Sequence, residues 1–306
     1  MPIRYFGTWL LAGAALLAST AAQLADTGGP GHQAARRPAL PVTVSRTGSF
    51  AYPDGVAVDA SGTAYVVDTD NAALQKVSPN GEVSALVSAG LTYPTGVAMG
   101  SDGTLYVTDA GSHSLKKVSA AGVVTTLAEG FDYPTGVAAA ADGTLYVADA
   151  GLGANQGSIR HVGPAGRRLA PLASGLNKPG GVAVAPDGTV YVAETDDNTI
   201  LKVLPTGQLV SLATSGLHRP HGLTVAATGA VYVADTYGNC IQKIDATGAS
   251  SALVCDLAYP AGIALAPDGS LYVTDTGAGA LKKVTPAGAV LTLAAAWQWL
   301  AARVAG

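Results

Sequence analysis

Tyr-Pro-Asp-Gly-Val-Ala at residues 52–57 returns five more times along the chain. It reads Tyr-Pro-Thr-Gly-Val-Ala at 93–98 and again at 133–138, Lys-Pro-Gly-Gly-Val-Ala at 178–183, Arg-Pro-His-Gly-Leu-Thr at 219–224 and Tyr-Pro-Ala-Gly-Ile-Ala at 259–264. The prolines Pro53, Pro94, Pro134, Pro179, Pro220 and Pro260 are 41, 40, 45, 41 and 40 residues apart. A period near forty built from short strands is the signature of a propeller or a solenoid, whose units cannot bury their apolar faces alone.

Each unit follows one plan. A Gly-Val-Ala strand leads into a turn such as Asp102-Gly103 or Asp187-Gly188, then a strand such as Leu105-Tyr106-Val107 that ends in an acid. A polar loop follows, then a strand such as Ile200 to Val203, a turn such as Pro205-Thr206-Gly207 and a last strand such as Leu209 to Leu212. Four antiparallel strands joined by hairpin turns account for this order. The strands are apolar on both faces, as sheets need when stacked radially between two neighbours. The Gly repeated in the first strand (Gly55, Gly96, Gly136, Gly181, Gly222, Gly262) suits backbones crowded round one axis. The expected fold is therefore all-β, a six-bladed β-propeller of four-stranded blades over residues 42–294. Pro41 to Arg46 is a spare strand for closing the ring, and residues 295–306, with Trp297 and Trp299, form a tail.

Composition agrees. Only 12% of the 306 residues are charged, 48% are hydrophobic and Gly occurs 39 times, which describes a packed, turn-rich protein. A net charge of −4 with scattered Lys and Arg offers no basic face for phosphates, so nucleic acid is not an expected partner. Residues 1–25 carry Arg4, an apolar heart from Trp9 to Ala18 and small residues at Ser19 to Ala22. This reads as a secretory signal peptide, or as an uncleaved anchor, in which case alone a membrane enters. Residues 26–41 read as a flexible linker. The expected location is extracytoplasmic, periplasmic or secreted.

The run Pro-x-Gly-Val-Ala, Asp-Gly-Thr-Leu-Tyr-Val-x-Asp, Asn-x-x-Leu-x-Lys-Val resembles the NHL repeat, and the resemblance covers about four-fifths of the chain. The family's polar Asp-x-x-Asn loop is visible at Asp68 to Asn71. The Arg often found before the third strand is replaced by Ala73, Ser114, Ser158, Thr199, Cys240 and Ala280, which sets the chain apart from the RNA-binding members. It is more similar to exported bacterial propellers and to the extracytoplasmic sensor propellers of mycobacterial serine/threonine kinases.

The two cysteines, Cys240 and Cys255, start the third strand and end the fourth strand of one unit. A hairpin turning at Thr247 and Gly248 pairs them, so a disulfide is expected in an oxidising compartment.

Function must lie in what the units do not share. The acids ending the second strands (Asp68, Asp109, Asp149, Glu194, Asp235, Asp275) recur, and are read as holding their own loops and pairing with Lys76, Lys117, Lys202, Lys243 or Lys283. A cation-binding ring is the other reading. The loops before each proline should meet those after the second strand at one mouth. There Tyr52, Tyr93, Tyr133 and Tyr259 supply aromatic walls, Lys178 and Arg219 supply charge, and Asp54, His221, Glu194, Asp196 and Asp197 break the symmetry. His218 adds to the asymmetry, and the longer loop Gly151 to Ser158 is a candidate flap. A small anionic or sugar-like ligand fits this set.

Catalytic relatives of the propeller imply further tests. An amidating-lyase site needs several His, but His221, His113 and His161 fall at unlike positions. A lactonase site needs carboxylates round a divalent cation, and Asp54, Glu194 and Asn198 are conceivable members. The Trp-Phe-Thr-Glu strand of streptogramin lyases is replaced by Leu-Tyr-Val-Thr-Asp, and no Gly-x-Ser-x-Gly occurs. No catalytic residue is assigned and no cofactor is expected, a Ca or Zn ion being the one considered. The leading expectation is a non-catalytic binding module for a protein, peptide or envelope glycan; the alternative is a metal-dependent hydrolase or lyase at the channel mouth.

Overall fold

The computed structural model describes residues 50–295 apart from 164 and 214. The signal peptide, the linker, the spare strand and the tail beyond Ala295 lie outside the described residues. Six four-stranded sheets follow one another, each built from four consecutive strands. Blade one runs Pro53–Val58, Ala64–Asp68, Ala73–Val77 and Val83–Val87; the others begin at Pro94, Pro134, Pro179, Pro220 and Pro260.

Every strand lies between two neighbouring sheets, and the core divides accordingly. Six apolar clusters each join two adjacent blades, for example Leu74, Val87 and Val97 across blades one and two, and Val66, Tyr272 and Leu281 across blades six and one. Third-strand residues Leu74, Leu115, Ile159, Ile200, Ile241 and Leu281 are fully buried, while fourth strands expose most of their residues. The seam between the last blade and the first is held by hydroxyls: Thr276 Oγ1 donates to the Pro53 carbonyl at 2.6 Å and Thr274 Oγ1 to that of Asp54 at 2.5 Å.

The first-strand glycines are a packing requirement. A Cβ built on Gly262 would lie 2.2 Å from the Asp54 carbonyl oxygen, one on Gly222 2.3 Å from that of Ala261, and one on Gly96 2.5 Å from that of Thr135. In each case the obstacle is the backbone of the next blade, so no rotamer change relieves it.

Cys240 and Cys255 form a disulfide. The expected register holds at Ile241↔Val254, but nearer the turn Gln242 faces Ala252, and a bulge between these pairs brings Cys240 opposite Cys255. Closing a 15-residue separation contributes about 3 kcal/mol in the chain-entropy model.

The strand-end acids depart from expectation. Their carboxylates accept from the loop entering the blade, sixteen or seventeen residues upstream: Ala51 N to Asp68 at 2.7 Å, Tyr93 N to Asp109 at 2.7 Å, Tyr133 N to Asp149 at 2.7 Å, Asn177 N to Glu194 at 3.1 Å and Ala258 N to Asp275 at 2.6 Å. Their side-chain partners come from the following loop and the third strand, with Asn71 and Gln75 on Asp68, Ser112 on Asp109, Arg160 on Asp149, Thr199 on Glu194 and Lys282 on Asp275, and not from Lys76, Lys117, Lys202, Lys243 or Lys283. Strand parity is the reason. Asp68 faces Ala73 across the ladder, so Gln75 shares its side of the sheet and Lys76 the other. Lys283 instead packs on Tyr272 and pairs with Asp268.

Candidate functional site

The loops entering the first strand and those after the second do meet at one end, as the backbone bonds Thr69 N to Tyr52 O and Thr195 N to Lys178 O show. In blade one the ladder skips from Pro53 to Val56 and in blade five from Pro220 to Leu223. The residues freed from pairing, Asp54 with Gly55 and His221 with Gly222, line the central channel. The channel space is about 60 Å³. That admits a few waters, whereas small-molecule sites run to ~300 Å³ or more. The channel interior is therefore too small for a ligand of that size.

A hydroxyl relay seals most of the mouth. In blades two and three the residue after the proline is a threonine that reaches the next blade's proline carbonyl: Thr95 to Pro134 at 3.0 Å and Thr135 to Pro179 at 2.8 Å. In blades four to six the threonine lies instead after the second strand, and Thr195, Thr236 and Thr276 reach Pro220, Pro260 and Pro53 at 2.8, 2.8 and 2.6 Å. Blade one differs. Thr69 occupies the second position, its buried hydroxyl has no partner among the described residues, and the residue after the proline is Asp54.

Asp54 is 7% exposed, and among the described residues no donor is bonded to its carboxylate. Its backbone is fixed by Thr274. The side chain that approaches it is the His221 imidazole, Nδ1 to Oδ1 3.8 Å, reaching across the mouth from blade five. This is an ion-pair distance and too long for a direct hydrogen bond. Burial pushes the Asp54 carboxyl above the ordinary range, and His221 pulls it back. Gly180 makes room for the ring, since a Cβ there would meet His221 Cδ2 at 2.8 Å.

Tyr52, Tyr93 and Tyr133 stand together on the first three blades, close enough to Asp54 that its charge raises all three phenols beyond the effect of burial. Tyr52 is pushed up to about 12. Tyr259 lies on the other side, edge-on to Tyr237 with centroids 5.6 Å apart.

The remaining expected site residues are occupied locally. Arg219 pairs with Asp196 at 2.7 Å and lies over the Tyr237 ring at 5.4 Å. Lys178 Nζ donates to the Gly151 carbonyl at 2.9 Å, tying the long loop of blade three to blade four. Asp197 accepts from the Asn177 amide at 2.6 Å, and Glu194 is held by Asn177 N and Thr199 Oγ1. The two cations proposed to bind an anion thus have partners of their own.

A match to the family model described as the virginiamycin B lyase family covers residues 42–234. The chain belongs to that family. An NHL-repeat match covers 257–283, in agreement with the repeat reading. Setting this lyase family aside on its strand motif is corrected by the match: Tyr106-Val107-Thr108-Asp109 keeps aromatic, apolar, Thr and acid in the order of Trp-Phe-Thr-Glu. No curated protein matches the sequence. Among solved structures, a catalytically inactive histidine-to-alanine virginiamycin B lyase from Staphylococcus aureus, determined with quinupristin, is 16% identical, with a TM-score of 0.59 over 81% of this chain and 86% of that one. A gluconolactonase from Xanthomonas campestris is 19% identical, TM-score 0.67, over 80% and 87%. A calcium-binding regucalcin from Agrobacterium tumefaciens is 23% identical, TM-score 0.64, over 74% and 83%. At these identities the likeness establishes the shared propeller.

The cation that such relatives suggest can be tested against the residues present. Among the described residues no three His, Cys, Asp or Glu side chains gather into a metal-binding group. Asp54 and His221 offer one carboxylate and one ring nitrogen, and the strand-end acids accept hydrogen bonds from loop amides. This donor set fits neither calcium, which takes six to eight oxygens, nor a four-coordinate zinc.

Proposed function

We propose that the mouth of this virginiamycin B lyase family propeller is a proton-transfer site for opening cyclic esters, by elimination or by hydrolysis, with His221 as the exchanging group. The observation that carries the reading is the Asp54–His221 pair. It is where the hydroxyl relay is broken, and it sets a buried carboxylate without a hydrogen-bond donor against a half-buried imidazole. Burial of a charge without a bonded partner costs stability, and such groups concentrate at functional sites.

In an elimination the neutral imidazole takes a proton from the carbon next to the one that bears the ester oxygen, on the alcohol side, while that carbon–oxygen bond breaks, leaving an alkene and a carboxylate. In a hydrolysis it takes a proton from the attacking water. Either way the imidazolium forms next to Asp54, whose negative charge stabilises it. Contacts of 3.8 Å in a ligand-free site commonly shorten when substrate arrives.

The disulfide supports an extracytoplasmic location for this activity. Among the described residues no helix is long and apolar enough to cross a membrane.

The test is turnover of two probes, quinupristin and glucono-δ-lactone, by the purified wild-type chain. Ring opening of either, above the rate in buffer, is the expected result. With no turnover of either, the enzymatic reading is lost, and the row of exposed tyrosines favours the binding-module reading, with a protein, peptide or glycan on the loop face.

A further inference from the structure

The rim of the mouth is charged unevenly. On the blade-five side the protein supplies its own cation, Arg219, to the Tyr237 ring and neutralises it with Asp196. Among the described residues, the charges that act on the three tyrosines of blades one to three are those of Asp54 and, for Tyr52 and Tyr93, Asp70. Lys178, the nearest cation on blade four, is bonded to the Gly151 carbonyl. The other titratable group facing Asp54 is His221. Tyr52, Tyr93 and Tyr133 are 51%, 36% and 36% exposed, so much of each ring is open to solvent.

Aromatic rings present negative faces, and phenols with raised pKa stay neutral across the physiological range. Exposed rings on three consecutive blades beside a carboxylate that lines the channel form a site that disfavours anions and desolvates a diffuse positive charge at low cost. We propose that the Tyr52–Tyr93–Tyr133 side of the mouth, with Asp54 at its floor, recognises an alkylammonium group, so that the natural ligand is an amine-bearing small molecule. The inference rests on the mouth being the small-molecule site, and it names the chemical class of what enters. It also replaces the anionic ligand expected from Lys178 and Arg219.

The experiment uses choline as the probe and 3,3-dimethyl-1-butanol, its uncharged carbon isostere, as the control, titrated by calorimetry at constant ionic strength. Choline is expected to bind at least about tenfold more tightly than the isostere. Asp54→Asn is expected to remove most of that preference, and Tyr93→Ala to weaken choline while the thermal midpoint of the free protein stays near wild type. His221→Ala is expected to retain choline binding. Equal affinity for the two probes, tighter binding of gluconate, or no binding of choline overturns the inference. Choline failing while lactone opening persists removes this inference alone; choline binding without turnover removes the catalytic reading alone.

Discussion

Replacing His221 by alanine is expected to lower kcat on the probe that the wild type opens by about a hundredfold or more, the usual contribution of a positioned acid–base group. The fold should not notice. The ring lies at the mouth, partly exposed, against the open face of Gly180, and the hydrogen bond that closes its blade seam runs from the Thr195 hydroxyl to the Pro220 carbonyl and not from the imidazole. KM should change little, because the tyrosine wall stands on other blades. A kinetic split of this kind, with an unchanged thermal midpoint, separates a reacting group from a packing one. Unaltered kcat in His221→Ala means that the Asp54–His221 pair performs no chemistry.

The second large effect is structural. Gly262→Ala is expected to destabilise the propeller by about 3 kcal/mol or more, because its Cβ would meet the Asp54 carbonyl at 2.2 Å and the Val56 amide at 3.0 Å. That carbonyl cannot retreat freely, since it also takes the Thr274 hydroxyl. The change should lower the urea midpoint strongly. Gly163→Ala, whose nearest heavy atom is at 3.7 Å, should scarcely move it. Comparable losses for the two would mean that the inner ring is looser than the spacing of its backbones implies.

The architecture was readable because it repeats. Six copies of one phrase at a forty-residue spacing report the blade, and a glycine at the same place in each reports the crowded axis. The disulfide was readable for a related reason: one hairpin fixes which residues face each other, and the bulge beside Gln242 sets the final pairing. Parity was the first thing misjudged. Lys76 lies one residue from Gln75, and one residue in a strand changes the side of the sheet.

The site was half legible. Breaking of symmetry at Asp54 and His221 marks both residues, but not that they reach each other across the channel. The hydroxyl relay left a signal that went unread. Where threonine follows the proline, alanine follows the second strand (Thr95 with Ala110, Thr135 with Ala150), and where threonine follows the second strand the other position is Gly180, His221 or Ala261. Blade one keeps this alternation in sequence, with Thr69 after the second strand and Asp54 after the proline, and departs from it in bonding, since the Thr69 hydroxyl makes no relay bond among the described residues. The local partners of Lys178 and Arg219, the Gly151 carbonyl, Asp196 and the Tyr237 ring, were not legible because they become neighbours only once the blades close into a ring.

Central to the proposal is that Asp54, largely buried at the channel with its carboxyl raised by burial, is a working group, and its linkage to pH tests that directly. A carboxyl whose pKa is raised on folding binds its proton more tightly in the native state than in the unfolded chain. The native protein therefore loses stability as pH rises from the unfolded value of about 3.9 through the raised native one, and the loss is complete above it. Asparagine has no proton to lose. The measurement is the unfolding free energy of the wild type and of Asp54→Asn by urea titration, from pH 3 to pH 8. The prediction is a stability difference that moves in favour of Asp54→Asn as pH rises from the acid end and then levels off, accompanied by loss of ring opening. A difference independent of pH, or a wild type that gains on the variant towards neutrality, would show Asp54 to be a satisfied part of the scaffold and would contradict the assignment of the mouth as the working site.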